Sequence, residues 1–347
     1  MKFFASVATI ATLAAAAPKA RFTTSLDVKL ELQENSRVKA TVTNPGQESL
    51  KVLKTGSILD ASPVQKVSVS NIDGAATFQG IKVYIGPHAD ESAFQEIPAG
   101  KSVEVTFDIA EIFDLSTGGK YNIYSSGNIR YAEGGDIDKL RSVSFESNKL
   151  HANVDGTLAA AALSSFHQNM KRATINSDCT GSRRQALETA RQNTYNIAVK
   201  AAEAARSGPA KKMTEYFESA SQNTRSIVAG TFSKMAQLYS SQSGKPDIYC
   251  RDIGNYCSGG VVAYTLPPQN NIVYCSAWFS YPALNSACRQ VDQAHISVHE
   301  STHLSLTKGT DDYGTYGYEN SIALPASQNI NHADTYAYFA HDTLSGC

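Results

Sequence analysis

Ala294-His295-Ile296-Ser297-Val298-His299-Glu300-Ser301-Thr302-His303-Leu304 is the stretch on which the reading of this chain turns. On a helix, residues four apart share one face, so His299 and His303 can both reach one metal ion. Glu300 follows the first histidine and falls beside the ion, outside its ligands. There a carboxylate can take a proton from water, which is the arrangement of a zinc hydrolase. Val298 and Leu304 can anchor such a helix in a core. A catalytic zinc also needs a third protein ligand and an open position.

The third ligand has to lie downstream. Metzincins place a third histidine six residues after the second, and here that position is Gly309. A thermolysin-like site would use a glutamate, and Glu319 is the downstream candidate, in what reads as a loop. The stronger candidate segment is Gly309-Thr310-Asp311-Asp312-Tyr313-Gly314-Thr315-Tyr316-Gly317. Three glycines let such a loop fold back and turn an aspartate toward the helix. Taken without the histidines, the same segment reads as an exposed acidic turn.

Working outward, the sequence splits in two. Before residue 150, alternation of apolar and polar residues marks strands at Leu26–Leu32, Val38–Val42 and Val103–Phe107. Shorter ones are expected at Val64–Val69, Ile81–Ile85 and Tyr121–Tyr124, with a turn at Asn44-Pro45-Gly46. Many short strands between turns predict a small antiparallel β-sandwich. After residue 173 the spacing becomes helical. Ala186 to Ala202 forms one apolar face that stops near Ser207-Gly208-Pro209. Further helices are expected around Met213–Phe217, Ile227–Tyr239, from Gln290 through the His-Glu pair, and over His332–Thr343. Short strands at Val261–Tyr264 and Ile272–Tyr274 interrupt them. Leu158–Leu163 reads as helix or linker.

The 347 residues suffice for two domains, and a net charge of -1 argues against nucleic acid or acidic membrane as partner. Residues 1–17 read as a secretory signal, with Lys2, an apolar run from Phe3 to Ala16 and small residues at Ala15–Ala17. No later run is long enough to cross a membrane. The six cysteines all lie after residue 173, an even count that suits three disulfides in an exported chain. Lys171-Arg172 is a dibasic pair at the boundary between the two compositions. The expected organisation is a signal at 1–17, a β-rich propeptide at 18–172 and a zinc metalloprotease domain at 173–347. Among the remaining residues, His295 reads as packed or supporting the site, His332 and His341 as surface or packing residues, and Trp278 and Tyr281 as core.

His299-Glu300-x-x-His303, then Gly309-Thr310-x-Asp312, then Tyr-Gly, resembles the deuterolysins, fungal aspzincin metallopeptidases. Tyr264-Thr-Leu-Pro267, Asn331-His-Ala-Asp334-Thr-Tyr336 and the six cysteine positions extend the resemblance over about 175 residues, and the precursor plan is similar. The resemblance implies one zinc ion held by His299, His303 and Asp312, with Glu300 as general base and later proton carrier. It implies Tyr316 as hydrogen-bond donor to the oxyanion, with Tyr313 as the alternative. Asp334 is implied to support the site or to line the pocket for the residue after the cut. The implied disulfides are Cys179–Cys250, Cys257–Cys275 and Cys288–Cys347.

The expected fold is therefore a β-sandwich-like propeptide followed by a mainly helical zincin domain with a small sheet. The expected function is a secreted, monomeric zinc endopeptidase that cuts proteins, with a preference for basic ones. The propeptide would inhibit it or assist its folding. Two alternatives stay open: a thermolysin-like peptidase using Glu319, and a non-catalytic secreted binding protein.

Overall fold

The computed structural model describes residues 25–87, 89–172, 179–240 and 246–347. The expected signal at 1–17 and the residues just after Arg172 lie outside the described residues. Chain order begins with strands β1 (Leu26–Glu34), β2 (Arg37–Thr43), β3 (Leu50–Leu53), β4 (Ser68–Asn71), β5 (Gly74–Ala75) and β6 (Lys82–Ile85). It continues with β7 (Phe94–Ile97), β8 (Ser102–Asp108), β9 (Gly119–Tyr124), β10 (Ser126–Glu133), β11 (Asp136–Ser147) and β12 (Leu150–Val154). Helices α1 (Gly156–Arg172), α2 (Gly181–Ser207), α3 (Ala210–Phe217) and α4 (Gln222–Ser240) follow. Strands β13 (Asp247–Tyr249), β14 (Val261–Leu266) and β15 (Asn271–Tyr274) precede α5 (Gln293–His303), α6 (Tyr318–Ile322), α7 (Ala326–Asn329) and α8 (Ala333–Ser345).

In the first half, one sheet has the order β7-β3-β10-β11-β1-β2-β8 and another β12-β9-β4-β5. The strict alternation of β1 and β2 explains how they meet. Leu26, Val28, Leu30, Val38, Ala40 and Val42 are buried, and between them stand exposed or half-buried residues. They share one core with Val69, Tyr121, Ile123, Ala152 and Val154 of the second sheet.

The second half packs α2, α4, α5 and α8 around Ile197, Phe232, Val298, Tyr336 and Phe339. Helix α2 ends at Ser207, where Gly208 and Pro209 break it. Disulfides join Cys179 to Cys250, Cys257 to Cys275 and Cys288 to Cys347, the pairing that the resemblance implies.

The structure departs from the sequence reading at β6. Ile81–Ile85 was expected among the strands of the first half. Instead β6 joins the small sheet of the second half, in the order β13-β15-β14-β6. Lys82, Val83, Tyr84 and Ile85 are all buried, as in a strand covered on both faces. The segment Val64–Val69 is also shorter than expected: β4 begins at Ser68, and Val64 makes an isolated bridge to Ile81. Glu319, expected in a loop, lies in the first turn of α6.

A third core crosses between the halves. Leu53, Ile81, Val83, Ile85 and Phe94 pack with Tyr264, Leu266 and Val273.

Candidate active site

Asp292 starts α5, its side chain accepting the His295 amide at 2.7 Å as an N-cap. Every residue of the helix is buried. The helix stops at His303, and the chain turns back through Gly309, whose φ of 73° is the left-handed conformation that suits glycine. The amides of Gly309 and Thr310 both donate to the Thr302 carbonyl, at 3.0 and 3.1 Å. The hydroxyls of Thr302 and Thr310 meet at 2.7 Å. This is the local reason for glycine followed by threonine: the pair clamps the returning loop to the end of the helix.

Asp311 then pairs with the segment before α8. Its amide donates to Asn331 O at 2.8 Å and its carbonyl accepts from Ala333 at 3.1 Å. Two turns and the start of α8 are thereby fixed around the helix, and Asp312 faces the histidines.

His299 Nε2 and His303 Nε2 lie 3.1 Å apart. Asp312 Oδ1 is 3.3 Å from each of them. His299 Nδ1 donates to Asp334 Oδ1 at 2.8 Å, and His303 Nδ1 donates to the Thr310 carbonyl at 3.0 Å. Those bonds put the ring protons on Nδ1, so both Nε2 lone pairs point at each other and at a carboxylate oxygen. Asp312 Oδ1 is buried and has no hydrogen-bond partner. Such an arrangement suits a cation. Tetrahedral ligands bonded at about 2.0–2.2 Å stand roughly 3.3–3.6 Å apart, close to the spacing here. Burial works against the charge of Asp312, but the imidazoles of His303 and His299 outweigh it and hold the carboxyl well below its usual range.

Asp334, in the first turn of α8, stands behind His299. Its Oδ2 accepts the Gly317 amide at 2.7 Å, so the carboxylate also fixes the end of the loop. Burial opposes its charge, and the imidazoles of His295 and His299 overcome that and keep it ionised. His295 is fully buried, with Nε2 3.8 Å from Asp334 Oδ1. His332, expected at the surface or in packing, is buried; it caps α8 and lies 3.0 Å from the Thr315 carbonyl.

Glu300 is fully buried beside the cluster. The Thr265 hydroxyl on β14 donates to its Oε2, while Oε1 has no partner. Burial pushes the carboxyl up to about 6, against the downward pull of the His299 and His303 imidazoles. The Tyr316 ring lies 6.1 Å from that of His299 and nearly parallel to it. Its hydroxyl donates to the Val83 carbonyl at 2.8 Å. Tyr313 faces elsewhere, its ring 6.1 Å from His332 and its hydroxyl near Asn331. Glu319 is exposed and is not in the His299, His303, Asp312 group.

The sequence matches the deuterolysin metalloprotease (M35) family over residues 1–347. The chain belongs to that family. A "Neutral protease 2 homolog" of Colletotrichum graminicola is 42% identical, with 100% of both chains aligned. Penicillolysin of Penicillium citrinum is 38% identical over 93% of this chain and 92% of its own length. Among solved structures, a zinc peptidase from Grifola frondosa aligns with 47% of this chain and 97% of its own at 21% identity, with a TM-score of 0.41. As a deuterolysin-family member the chain is a zinc metalloprotease, and the donor set of two imidazole nitrogens and one carboxylate fits zinc.

Sequence reasoning missed several residues now seen at the site. Lys82, Val83, Tyr84 and Arg130 all come from the first half. The Tyr84 ring stands edge-on to His299 at 4.8 Å, and the Arg130 guanidinium lies 4.6 Å from the Tyr316 ring centre. The continuous buried run in β6 was the available signal, but a run does not say which sheet it joins. Between the acidic loop and the first half a cavity of about 400 Å³ remains, lined by Gln65, Lys66, Lys82, Asp311, Asp312 and Tyr316 among others. Among the described residues, no helix is long and apolar enough to cross a membrane.

Proposed function

We propose that this chain is the precursor of a secreted, monomeric zinc endopeptidase. In this reading residues 1–17 are the signal, 18–172 a sandwich-like propeptide released after Lys171-Arg172, and 173–347 the protease. The observation that carries it is the convergence of His299 Nε2, His303 Nε2 and Asp312 Oδ1, each imidazole tied from behind through Nδ1.

His299, His303 and Asp312 would hold one zinc ion, which supplies Lewis acidity to a peptide carbonyl and to water. Glu300 acts as general base. Its Oε1 is free to take a proton from the attacking water, while Thr265 fixes the other oxygen. The same carboxyl then hands the proton to the leaving amine. Its elevated pKa, about 6, brings it nearer to that amine and suits both roles. Tyr316 donates its hydroxyl to the carbonyl oxygen as charge develops there. Asp334 keeps His299 in one tautomer and orientation. Proteins are the substrates, and the Asp311 carboxylate on the loop beside the ligands favours basic ones.

The test uses the full chain, produced in zinc medium and cut at the dibasic pair. Casein cleavage should be abolished by a chelator and restored by added zinc. Cleavage that survives complete removal of metal overturns the proposal.

A further inference from the structure

Strand β6 belongs by sequence to the first half, yet it completes the sheet beside the catalytic helix. It runs antiparallel to β14, with Ala263 opposite Tyr84, Tyr264 opposite Val83 and Thr265 opposite Lys82. Without it, β14 would be an open edge, a ready template for any extended peptide. Thr265 on that edge is the residue that holds Glu300. A chain paired there passes directly over the base and the metal ligands.

Three contacts fix how β6 lies. The Val83 carbonyl accepts the Tyr316 hydroxyl at 2.8 Å. The Tyr84 side chain packs on His299 and is only 4% exposed. Lys82 Nζ reaches Asp311 Oδ1 at 2.7 Å, and the lysine is 7% exposed. Asp311 Oδ1 also accepts the Asp312 amide at 2.8 Å, but the carboxylate is not one of the His299, His303, Asp312 ligand group, so its charge can pair with another cation.

From these contacts we infer that β6 lies where a substrate chain lies, with the Val83 carbonyl in the place of the scissile carbonyl and Lys82 in an acidic subsite formed by Asp311. The inference rests on the protease reading above and deepens it. Two consequences follow. The uncleaved chain is silenced by its own strand, through occupation of the cleft. Once β6 leaves, Asp311 selects Lys or Arg at the substrate residue just before the one that carries the scissile carbonyl.

The experiment has two arms, both on zinc-loaded full chain. In the first, Lys171→Ala/Arg172→Ala blocks the cut. This uncut chain should be at least about a hundredfold less active on a short fluorogenic peptide than the cut chain. Adding Lys82→Ala/Tyr84→Ala should raise uncut activity at least about tenfold, because a half-buried charge pair and an aromatic anchor hold the strand. Zinc content and Trp278 fluorescence check that this variant is folded. In the second arm, the peptide Gln79–Pro87 is added to the cut chain. It should compete with substrate, and its Lys82→Ala version should be about tenfold weaker. With Asp311→Asn enzyme the two peptides should become equal, a coupling that a merely structural Asp311 would not show. Equal activity of cut and uncut chains overturns the inference, as does a peptide with no effect or a lysine preference that survives Asp311→Asn. A cut chain inactive with zinc overturns the protease reading as well, which separates the two failures.

Discussion

Asp334 and Thr310 do comparable work on opposite imidazoles: each accepts an Nδ1 proton and so aims an Nε2 lone pair inward. A carboxylate makes the stronger bond, so Asp334→Asn should weaken zinc binding about 10–100-fold, measured by competition with a chelator of known affinity. Thr265 and burial leave Glu300 one free oxygen, and a glutamine there keeps the shape but cannot accept a proton. Glu300→Gln should retain zinc and melting behaviour while losing about 10²–10⁴-fold in kcat. Near-normal turnover in that variant would remove Glu300 from the mechanism. Asp312→Ala should lose zinc, whereas Glu319→Ala should keep it, as the exposure of Glu319 requires; metal analysis of the two purified proteins decides between them. Much of this site was legible in the sequence because its parts are close along the chain. The helix spacing joins His299 to His303, and the glycines of the loop say that an aspartate can return to them, while the choice of Asp312 over Asp311 came from the resemblance. Asp334 entered only by resemblance, since nothing in a lone aspartate 22 residues further on says which imidazole it meets. Tyr316 was preferred to Tyr313 only by resemblance; the left-handed turn at Tyr313 and Gly314 is what sends them in different directions.

Helices α5 and α8 carry the site between them, and a buried pair ties their far ends. Asp292 caps α5 and accepts from Asn285, and its Oδ2 lies 3.2 Å from His341 Nε2 on α8. Burial of His341 favours its neutral form, but Asp292 and Asp342 outweigh burial and raise it to about 9 from 6.5. A raised folded pKa contributes stability that is complete below the unfolded value and lost as pH rises through the folded one. Unfolding by urea should therefore show this contribution intact at and below about pH 6.5 and declining toward pH 9. Asp292→Asn, which still caps the helix, should flatten that alkaline decline; an unchanged pH profile would remove the pair from the account. Elements were readable in proportion to their amphipathicity. The long face of α2 and its Ser-Gly-Pro stop were plain. Strand β11 was not, because most of its twelve residues are exposed or half-buried polar ones and only Val143, Phe145 and Ser147 turn fully inward. The short helices α6 and α7 have too few turns to show a period.

At the scale of the whole molecule, the composition boundary at residue 172 separates two sequences but not two independent cores. Leu53, Ile81, Ile85 and Phe94 share a cluster with Tyr264, Leu266 and Val273 across that boundary. No periodicity reports such sharing, because each strand looks the same whichever half buries it; this is why the sequence yielded two domains and missed their common sheet. The shared core has a thermodynamic consequence. In the intact chain the halves should unfold together, as one cooperative unit. Trp278 is the single tryptophan of the chain and is fully buried in the second half, 4.2 Å from the Tyr274 ring centre. Its fluorescence therefore reports on the core of the second half, to whose cluster the first half contributes Tyr84. Phe94, in β7 of the first half, contributes to the shared cluster. Phe94→Ala should cost about 3–5 kcal/mol, the usual range for emptying a buried phenylalanine site. In the uncut chain that loss should appear in the Trp278 transition, moving its urea midpoint down together with the midpoint read by circular dichroism. A Trp278 midpoint that stays in place while the rest of the signal shifts would mean that the halves melt separately and that the shared core does not couple them.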